Sequence, residues 1–205
     1  SPVALGLAGN FAVLSGAGQI TSVDNTIING DLGSFPMATP ASGFPPGLVN
    51  GNTHFGDVTA ELAQAYLSIA YYDAAGRAPT APTLANAQNL AGLTFQPGVY
   101  KSKTSLQITG GDVTLNGKGV FIFQMGSTLT VNSAARVVLT GGATAANVFW
   151  QVGSSASLFS NSVVNGTILA NTSITLDNGP GTTMIGRALA RSGNVTLNFS
   201  TITRP

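Results

Sequence analysis

Between Ser105 and Asn198 the chain keeps returning to one short pattern, two apolar residues with a small polar residue between them: Leu106-Gln107-Ile108, Leu129-Thr130-Val131, Ala156-Ser157-Leu158, Ile174-Thr175-Leu176 and Val195-Thr196-Leu197. Alternation of this kind is the period-2 signature of a half-buried strand, with the outer side chains pointing in and the central one pointing out. Two further apolar patterns recur between these copies. One is Val113-Thr114-Leu115, Val137-Val138-Leu139, Val163-Val164-Asn165 and Met184-Ile185-Gly186; the other is Phe121-Ile122-Phe123, Val148-Phe149-Trp150, Thr167-Ile168-Leu169 and Ala188-Leu189-Ala190. The order cycles through the three patterns without reversing. The central polar residues lie 23, 27, 18 and 21 residues apart, the loose period of a solenoid with three short strands per turn. An antiparallel sandwich built from hairpins also spaces short strands regularly, but it alternates between two sheets, whereas here like patterns recur every third strand. Stacking one turn on the next builds three parallel sheets around a narrow core. The expected fold is mostly β, a three-faced β-helix.

The flanking segments complete the plan. Residues 1–33 already carry coil chemistry in Phe11-Ala-Val-Leu14, Ile20-Thr21 and Thr26-Ile-Ile-Asn-Gly30, with Thr21 a candidate for the same outward row. Residues 34–56 read as a Pro/Gly-rich loop, longer than a simple connection, that caps one end of the stack, because an uncovered sheet edge invites pairing with other chains. From Asp57 the period changes to 3.6, with Val58, Leu62, Ala65, Tyr66, Ile69, Ala70 and Tyr72 on one broad face and Asp57 placed to cap the first turn. This predicts a helix over 57–76, ending near Ala75 with Gly76 at C′, lying on the Phe121/Phe123, Phe149, Ile168 and Leu189 strip. Residues 77–96 read as a connector and 97–205 as the main solenoid.

Composition narrows the function. A chain of 205 residues is ample for one core and is read as a single domain, 1–205. Hydrophobic residues make up 43% and charged residues only 7%, so the surface must be wetted by its 23 Thr, 18 Ser and 16 Asn. A formal charge of +1 with basic residues scattered singly lacks the footprint that nucleic acid or an anionic membrane requires. The absence of cysteine excludes disulfides, thiolate metal sites and a cysteine nucleophile. The apolar start, Val3 to Leu14, is too short to span a bilayer and lacks the basic n-region of a signal peptide, so it is read as the first strands of a mature protein.

Candidate chemistry is sparse. His54 is the one histidine and has no acidic cluster beside it in sequence; no metal or cofactor is expected. Asp24, Asp31, Asp57, Glu61, Asp73, Asp112 and Asp177 show no close spacing of the kind a glycosidase pair would suggest. Arg187 and Arg191 are expected to bond carbonyls or Asp177, and Trp150 to lie in the core. Thr109-Gly-Gly-Asp112, Asn116-Gly-Lys-Gly119 and Thr140-Gly-Gly142 open no helix, so they are corners needing positive φ rather than phosphate loops. Sequons at Asn165, Asn171, Asn194 and Asn198 are no more than a Thr-rich chain produces by chance. What remains is the outward row: Thr21, Gln107, Thr130, Ser157, Thr175 and Thr196, flanked by Ser105, Thr109, Thr128, Asn132, Ser155, Ser173, Asn194 and Asn198. Turns stacked about 4.7–4.9 Å apart and alternate residues about 6.6 Å apart along a strand make a flat grid of hydroxyls and methyls, closer to a lattice than to a pocket.

Leu7-Ala-Gly-Asn-Phe-Ala-Val-Leu-Ser-Gly-Ala-Gly18, Ile28-Asn-Gly-Asp-Leu-Gly33, Pro97-Gly-Val-Tyr100, Phe123-Gln124, Asn147-Val-Phe-Trp-Gln-Val-Gly153, Gly166-Thr-Ile-Leu-Ala170 and Gly186-Arg-Ala-Leu-Ala190 resemble the microbial ice-binding proteins of the DUF3494 family, nearly end to end. The resemblance implies a discontinuous right-handed β-helix of triangular section, an N-terminal segment that joins the stack out of sequence order, and a long helix along one face. It implies an ice-binding face on the strands that carry Thr21, Gln107, Thr130, Ser157, Thr175 and Thr196. Gln107 and Ser157 depart from a Thr ladder, with Phe159 and Asp177 at the margin. A neighbouring helix-free face with Thr114, Asn116, Val138, Thr140 and Val164 is a possible second contact. The expectation is a secreted, monomeric, non-enzymatic protein whose partner is the ice crystal surface, with thermal hysteresis and inhibition of ice recrystallisation. A β-helical carbohydrate-binding or polysaccharide-cleaving protein, which would show a groove with acids, Arg or stacked aromatics, is the first alternative. An adhesin segment is the second.

Overall fold

In the computed structural model, which describes residues 1–176 and 181–205, neighbouring strands run parallel and close three sheets around one core. The Leu-Thr-Val pattern makes a seven-stranded sheet in the order Ile20–Val23, Val195–Asn198, Ile174–Leu176, Ala156–Leu158, Leu129–Val131, Leu106–Ile108 and Gln88–Asn89. The aromatic pattern makes an eleven-stranded sheet whose main path runs from Gly98–Ser102 through Phe121–Met125, Val148–Val152, Val163–Ala170 and Thr182–Ala190 to Ser200–Thr203, Ile27–Asn29 and Leu48–Asn50. The third sheet has three strands, Thr94–Phe95, Val113–Asn116 and Val137–Thr140. Val13 pairs with Ala188, Ile20 with Val195 and Ile28 with Ile202, so the N-terminal turn sits beyond the last C-terminal one. This is the expected three-faced, discontinuous β-helix.

The third pattern departs from its expected alignment. Val163–Ala170 and Thr182–Ala190 run through the corner as continuous strands, with Val164 opposite Met184 and Gly166 opposite Gly186. A Cβ on Gly186 would lie 1.8 Å from the Gly166 carbonyl oxygen, so only glycine lets the two turns stack there. In this register Val164 is fully buried, one position off the phrase Val163-Val-Asn165, and it is not part of an exposed second face. Both supposed connectors also contain strands. Leu48–Asn50 and Thr53–Phe55 lie within residues 34–56 and extend the eleven-stranded sheet, while Ser42 bridges Thr21; together they cover one end of the stack. Gln88–Asn89 and Thr94–Phe95 form the opposite sheet edges from within residues 77–96.

Inside, Phe123 stacks on Trp150 at 4.5 Å and on Tyr100 at 5.3 Å, so aromatic rings from successive turns form a column. The buried Trp150 indole N–H donates to the Asn165 carbonyl (3.0 Å), and the Asn165 amide donates to the Val137 carbonyl (2.8 Å). The Tyr100 hydroxyl donates to the Gln96 carbonyl (2.7 Å), so both polar atoms of the column are satisfied, as burial demands.

The helix runs Val58–Gly76, one residue past the expected stop, with the Asp57 carboxylate accepting from the Ala60 amide at 2.8 Å. It lies on the aromatic-pattern sheet as expected, but with a different face. Ala60, Ala63, Leu67, Ala70, Tyr71 and Ala74 are buried, whereas Val58, Leu62, Tyr66, Ile69 and Tyr72 are exposed. A row of alanines lets the helix approach a flat sheet closely, which the bulkier stripe would prevent. The sheet residues beneath it are Ile122, Phe149, Leu169 and Leu189; Phe121, Phe123 and Ile168 point into the solenoid instead. At the helix C-terminus the buried Gln124 side chain donates to the Ala74 and Arg77 carbonyls, both at 2.8 Å, and occupies acceptors that the helix leaves open.

The Ala60 amide holds the Asp57 carboxyl below its ordinary value, with His54 adding to this and partial burial opposing it. A lowered carboxyl contributes stability that is fully present above the unfolded value of 3.8 and lost as pH falls through the lower folded one. Asp57→Ala is expected to cost about 1 kcal/mol at neutral pH. The gap between the two proteins should close on acidification. Thermal melts at both pH values check this, and a gap that stays constant would assign the loss to packing rather than to the carboxylate.

Candidate functional site

The seven-stranded sheet holds its outward residues in one straight register. Gln107 pairs with Thr130, Thr130 with Ser157, Ser157 with Thr175, Thr175 with Thr196, and Thr196 with Thr21, while Asn89 stands next to Gln107 at the other edge. From Gln107 to Thr196 each central side chain is half-buried between two buried apolar neighbours, as in Leu129-Thr130-Val131 and Ile174-Thr175-Leu176, and Thr21 lies between Ile20 and the buried Ser22. Seven strands at the usual spacing give a row about 29 Å long. The helix lies on another sheet, and nothing among the described residues covers this face.

The hydroxyls of the central and flanking rows are used differently. Ser105 and Thr128 share a hydrogen bond at 2.7 Å, the Asn132 amide donates to the Thr109 hydroxyl at 2.7 Å, and the Ser155 hydroxyl accepts from the Ser173 amide. These flanking groups brace one turn against the next. The hydroxyls of Thr21, Thr130, Ser157, Thr175 and Thr196 have no hydrogen-bond partner among the described residues and face solvent; the Gln107 amide leans back to the Ala87 carbonyl at 3.4 Å. At the edge, the Asn89 side chain bonds the Thr109 carbonyl and amide and the Ala91 amide, so it closes the sheet instead of extending the free row. Asn89 was not legible as part of this sheet, because a two-residue strand carries no periodicity.

Asn198 requires a correction. It is only 6% exposed and its side-chain oxygen Oδ1 has no partner among the described residues. Phe199 adopts φ 45° and the Ser200 hydroxyl bonds the Asn198 carbonyl, so the chain turns its corner there and carries Asn198 inward, out of the flanking row. Asn194 is exposed and fits against Gly18, where a Cβ would overlap its side chain. Phe159 is half-buried at the margin, and Asp177 lies outside the described residues. On the neighbouring face Thr94, Thr114 and Val138 align, as do Asn116 and Thr140, but this sheet is three strands wide.

The remaining candidates are engaged structurally. His54 bonds Asp57 at 2.7 Å beside the helix cap, and no group of three or more His, Cys, Asp or Glu among the described residues is arranged to hold a metal ion. Arg187 donates to the Gly9 carbonyl and the Thr167 hydroxyl; burial, with Arg204 nearby, pushes its guanidinium down to about 10, still protonated at neutral pH. Arg191 lies over the Tyr71 and Tyr72 rings at 4.6 Å and donates to the Asn171 side chain at 2.7 Å, joining helix to sheet. Gly110, Gly117, Gly119, Gly141 and Gly142 have the positive φ expected of corners. No helix among the described residues is long and apolar enough to cross a membrane.

Comparison with known proteins places the fold and the family. The model of the ice-binding-like family matches residues 13–203. An ice-binding protein of Nostoc sp. (strain HG1) is 41% identical over 97% of this chain and 72% of that protein, and one of Colwellia sp. is 38% identical over 99% and 84%. Among solved structures, an ice binding protein from an Antarctic biological consortium superposes with a TM-score of 0.92 at 43% identity, covering 99% of this chain and 91% of that one. The ice-binding protein of the Antarctic ascomycete Antarctomyces psychrotrophicus gives 0.92 at 36% identity, covering 100% and 99%.

Proposed function

Because the chain belongs to the ice-binding-like family, we propose that it is an ice-binding protein that adsorbs to ice through the seven-stranded sheet, with Thr21, Gln107, Thr130, Ser157, Thr175 and Thr196 as the contact row. One observation supports this assignment: among the described residues the central hydroxyls are unpaired and in straight register on an uncovered sheet, while the flanking ones are tied to each other. Threonine supplies a methyl that orders water and a hydroxyl that anchors it, and its branched Cβ restricts χ1. A row already fixed by folding loses little further freedom when it meets a lattice. Adsorbed molecules pin the growth front, which gives thermal hysteresis and inhibits recrystallisation. The contact row is complete within one chain, so a monomer suffices, and no catalytic step or cofactor enters. Ice grows outside the cell, and secretion places the protein there. The narrow Thr114/Asn116/Val138/Thr140 face contributes at most a subsidiary contact.

A bulky Tyr in place of Thr130 or Thr175 would hold the face off a flat lattice and spoil many contacts at once. Activity on a single ice crystal should fall steeply in Thr130→Tyr and Thr175→Tyr, while stability moves by no more than about 0.5 kcal/mol at these solvent-facing positions. Thr114→Tyr on the narrow face should matter less. Equal losses from both faces would indicate a two-faced binder, and unchanged activity in the first two variants would reject this row.

Dialysis against a chelator, and separately His54→Ala, should leave activity on ice intact, since His54 serves the helix cap. Loss of activity with the fold preserved would reveal a ligand site elsewhere.

A further inference from the structure

The helix has two apolar faces, and the sheet uses one. On the other, Val58, Leu62, Ala65, Ile69 and Tyr72 recur in alternating steps of four and three, a heptad seam that faces one direction along the whole helix. Val58, Leu62, Ile69 and Tyr72 are 68%, 45%, 63% and 63% exposed. Single exposed apolar residues are ordinary, but a continuous line of them marks a contact surface.

The seam is self-complementary about Ala65. A second copy turned by a two-fold axis through that residue would set Leu62 against Ile69 and Val58 against Tyr72, with alanine facing alanine where the helices come closest. The charges follow the same symmetry. The N-terminal end of the helix carries Glu61 and Asp57, the latter bonded to His54 at 2.7 Å, whereas at the C-terminal end Asp73 is neutralised by Arg77 at 2.8 Å, and Lys101 and Lys103 line a cleft of about 500 Å³ with Tyr71 and Ala75. An antiparallel pair brings the Glu61 end of one helix toward the Lys101/Lys103 end of the other and opposes the helix dipoles; a parallel pair sets like ends together.

We propose that this seam docks a second copy of the chain in an antiparallel, two-fold pair. The helix and the threonine row lie on different sheets, so both rows stay uncovered in the pair. Five helix residues a side make the seam, against the roughly 20–30 of a standard interface, so the pair forms reversibly and at high concentration.

The chain contains no cysteine, which makes cross-linking a clean test. Under mild oxidation, concentrated Ala65→Cys should become a covalent dimer, Val58→Cys and Tyr72→Cys singly should not, and the double variant Val58→Cys/Tyr72→Cys should. Ser133→Cys, exposed on a turn away from the helix, sets the background. Equal cross-linking from all three single variants would indicate parallel pairing and overturn the proposal, as would Ala65→Cys at background. In sedimentation velocity the wild-type mass should move toward twice that of one chain as concentration rises, and Ile69→Glu should weaken the association at least tenfold. A wild type that stays monomeric across the range also overturns it.

Discussion

Every turn of this solenoid must place its backbone directly over the one before, in register, and that constraint governs the corners first. Where the aromatic-pattern sheet turns into the threonine sheet, the turns approach closely enough that glycine is required at several positions. A Cβ on Gly126 would lie 2.2 Å from the Lys103 carbonyl oxygen, one on Gly153 2.4 Å from that of Gly126, and one on Gly193 2.3 Å from the Ser173 hydroxyl. Gly153 stacks on Gly126, while the two turns that follow carry Asn171 and Arg191 in that file, their side chains bonded to each other at 2.7 Å, and Gly193 stacks on Ser173. Because each corner is pinned, the strand that follows starts at the same height in every turn, and the three residues of each threonine-sheet strand fall into line.

The outward row is a consequence of what lies inside. Leu106, Leu129, Ala156, Ile174 and Val195 stack in one inward file and Ile108, Val131, Leu158, Leu176 and Leu197 in another, all of them buried. A one-residue slip would turn these files to solvent, so register is strongly specified and the residue between them must face out. The chemistry of that residue is then free to vary without touching the core. This separation explains how Gln107 and Ser157 sit in a row otherwise made of threonine: flatness is set by the backbone and by the inward files, not by the identity of the exposed side chain.

The threonine sheet was legible because a period of two repeated in a fixed order leaves few other folds, and Thr21 could be placed in it although the chain reaches that position from the opposite end. The features that were not legible share a physical cause, the absence of a decisive pattern. Gln88–Asn89 and Thr94–Phe95 are too short to show alternation and sit among prolines and alanines. Both faces of the helix are apolar, so a 3.6 period identifies the helix without choosing the buried side, and alanine wins by allowing close approach rather than by hydrophobicity. Phe121, Ile122 and Phe123 are all strongly apolar, so type does not choose between them; alternation sends the two phenylalanines into the solenoid and leaves Ile122 under the helix. Val164 was misaligned because Val163 and Val164 are indistinguishable by pattern, and the stacked Gly166 and Gly186 decide between them. Asn198 lies at a corner, where alternation no longer applies.

The division of labour among the faces bears on how so uncharged a surface can hold a lattice. A single intramolecular hydrogen bond is worth only about 0.5–1.5 kcal/mol net, and a hydroxyl meeting water at an ice front gains no more. Such contacts become useful only when several form together without each having to be ordered on arrival. The sheet meets that condition. Each strand of the row from Thr21 to Gln107 is hydrogen-bonded on both sides, the flanking hydroxyls are locked across turns, and the helix rigidifies a different face, so the ordering cost is met on folding. Charged side chains would add strength at each point but would carry long, mobile, strongly hydrated groups into the plane. Short neutral residues keep the plane flat, and the affinity of the proposed ice contact comes from the number of positions that touch together rather than from any one of them.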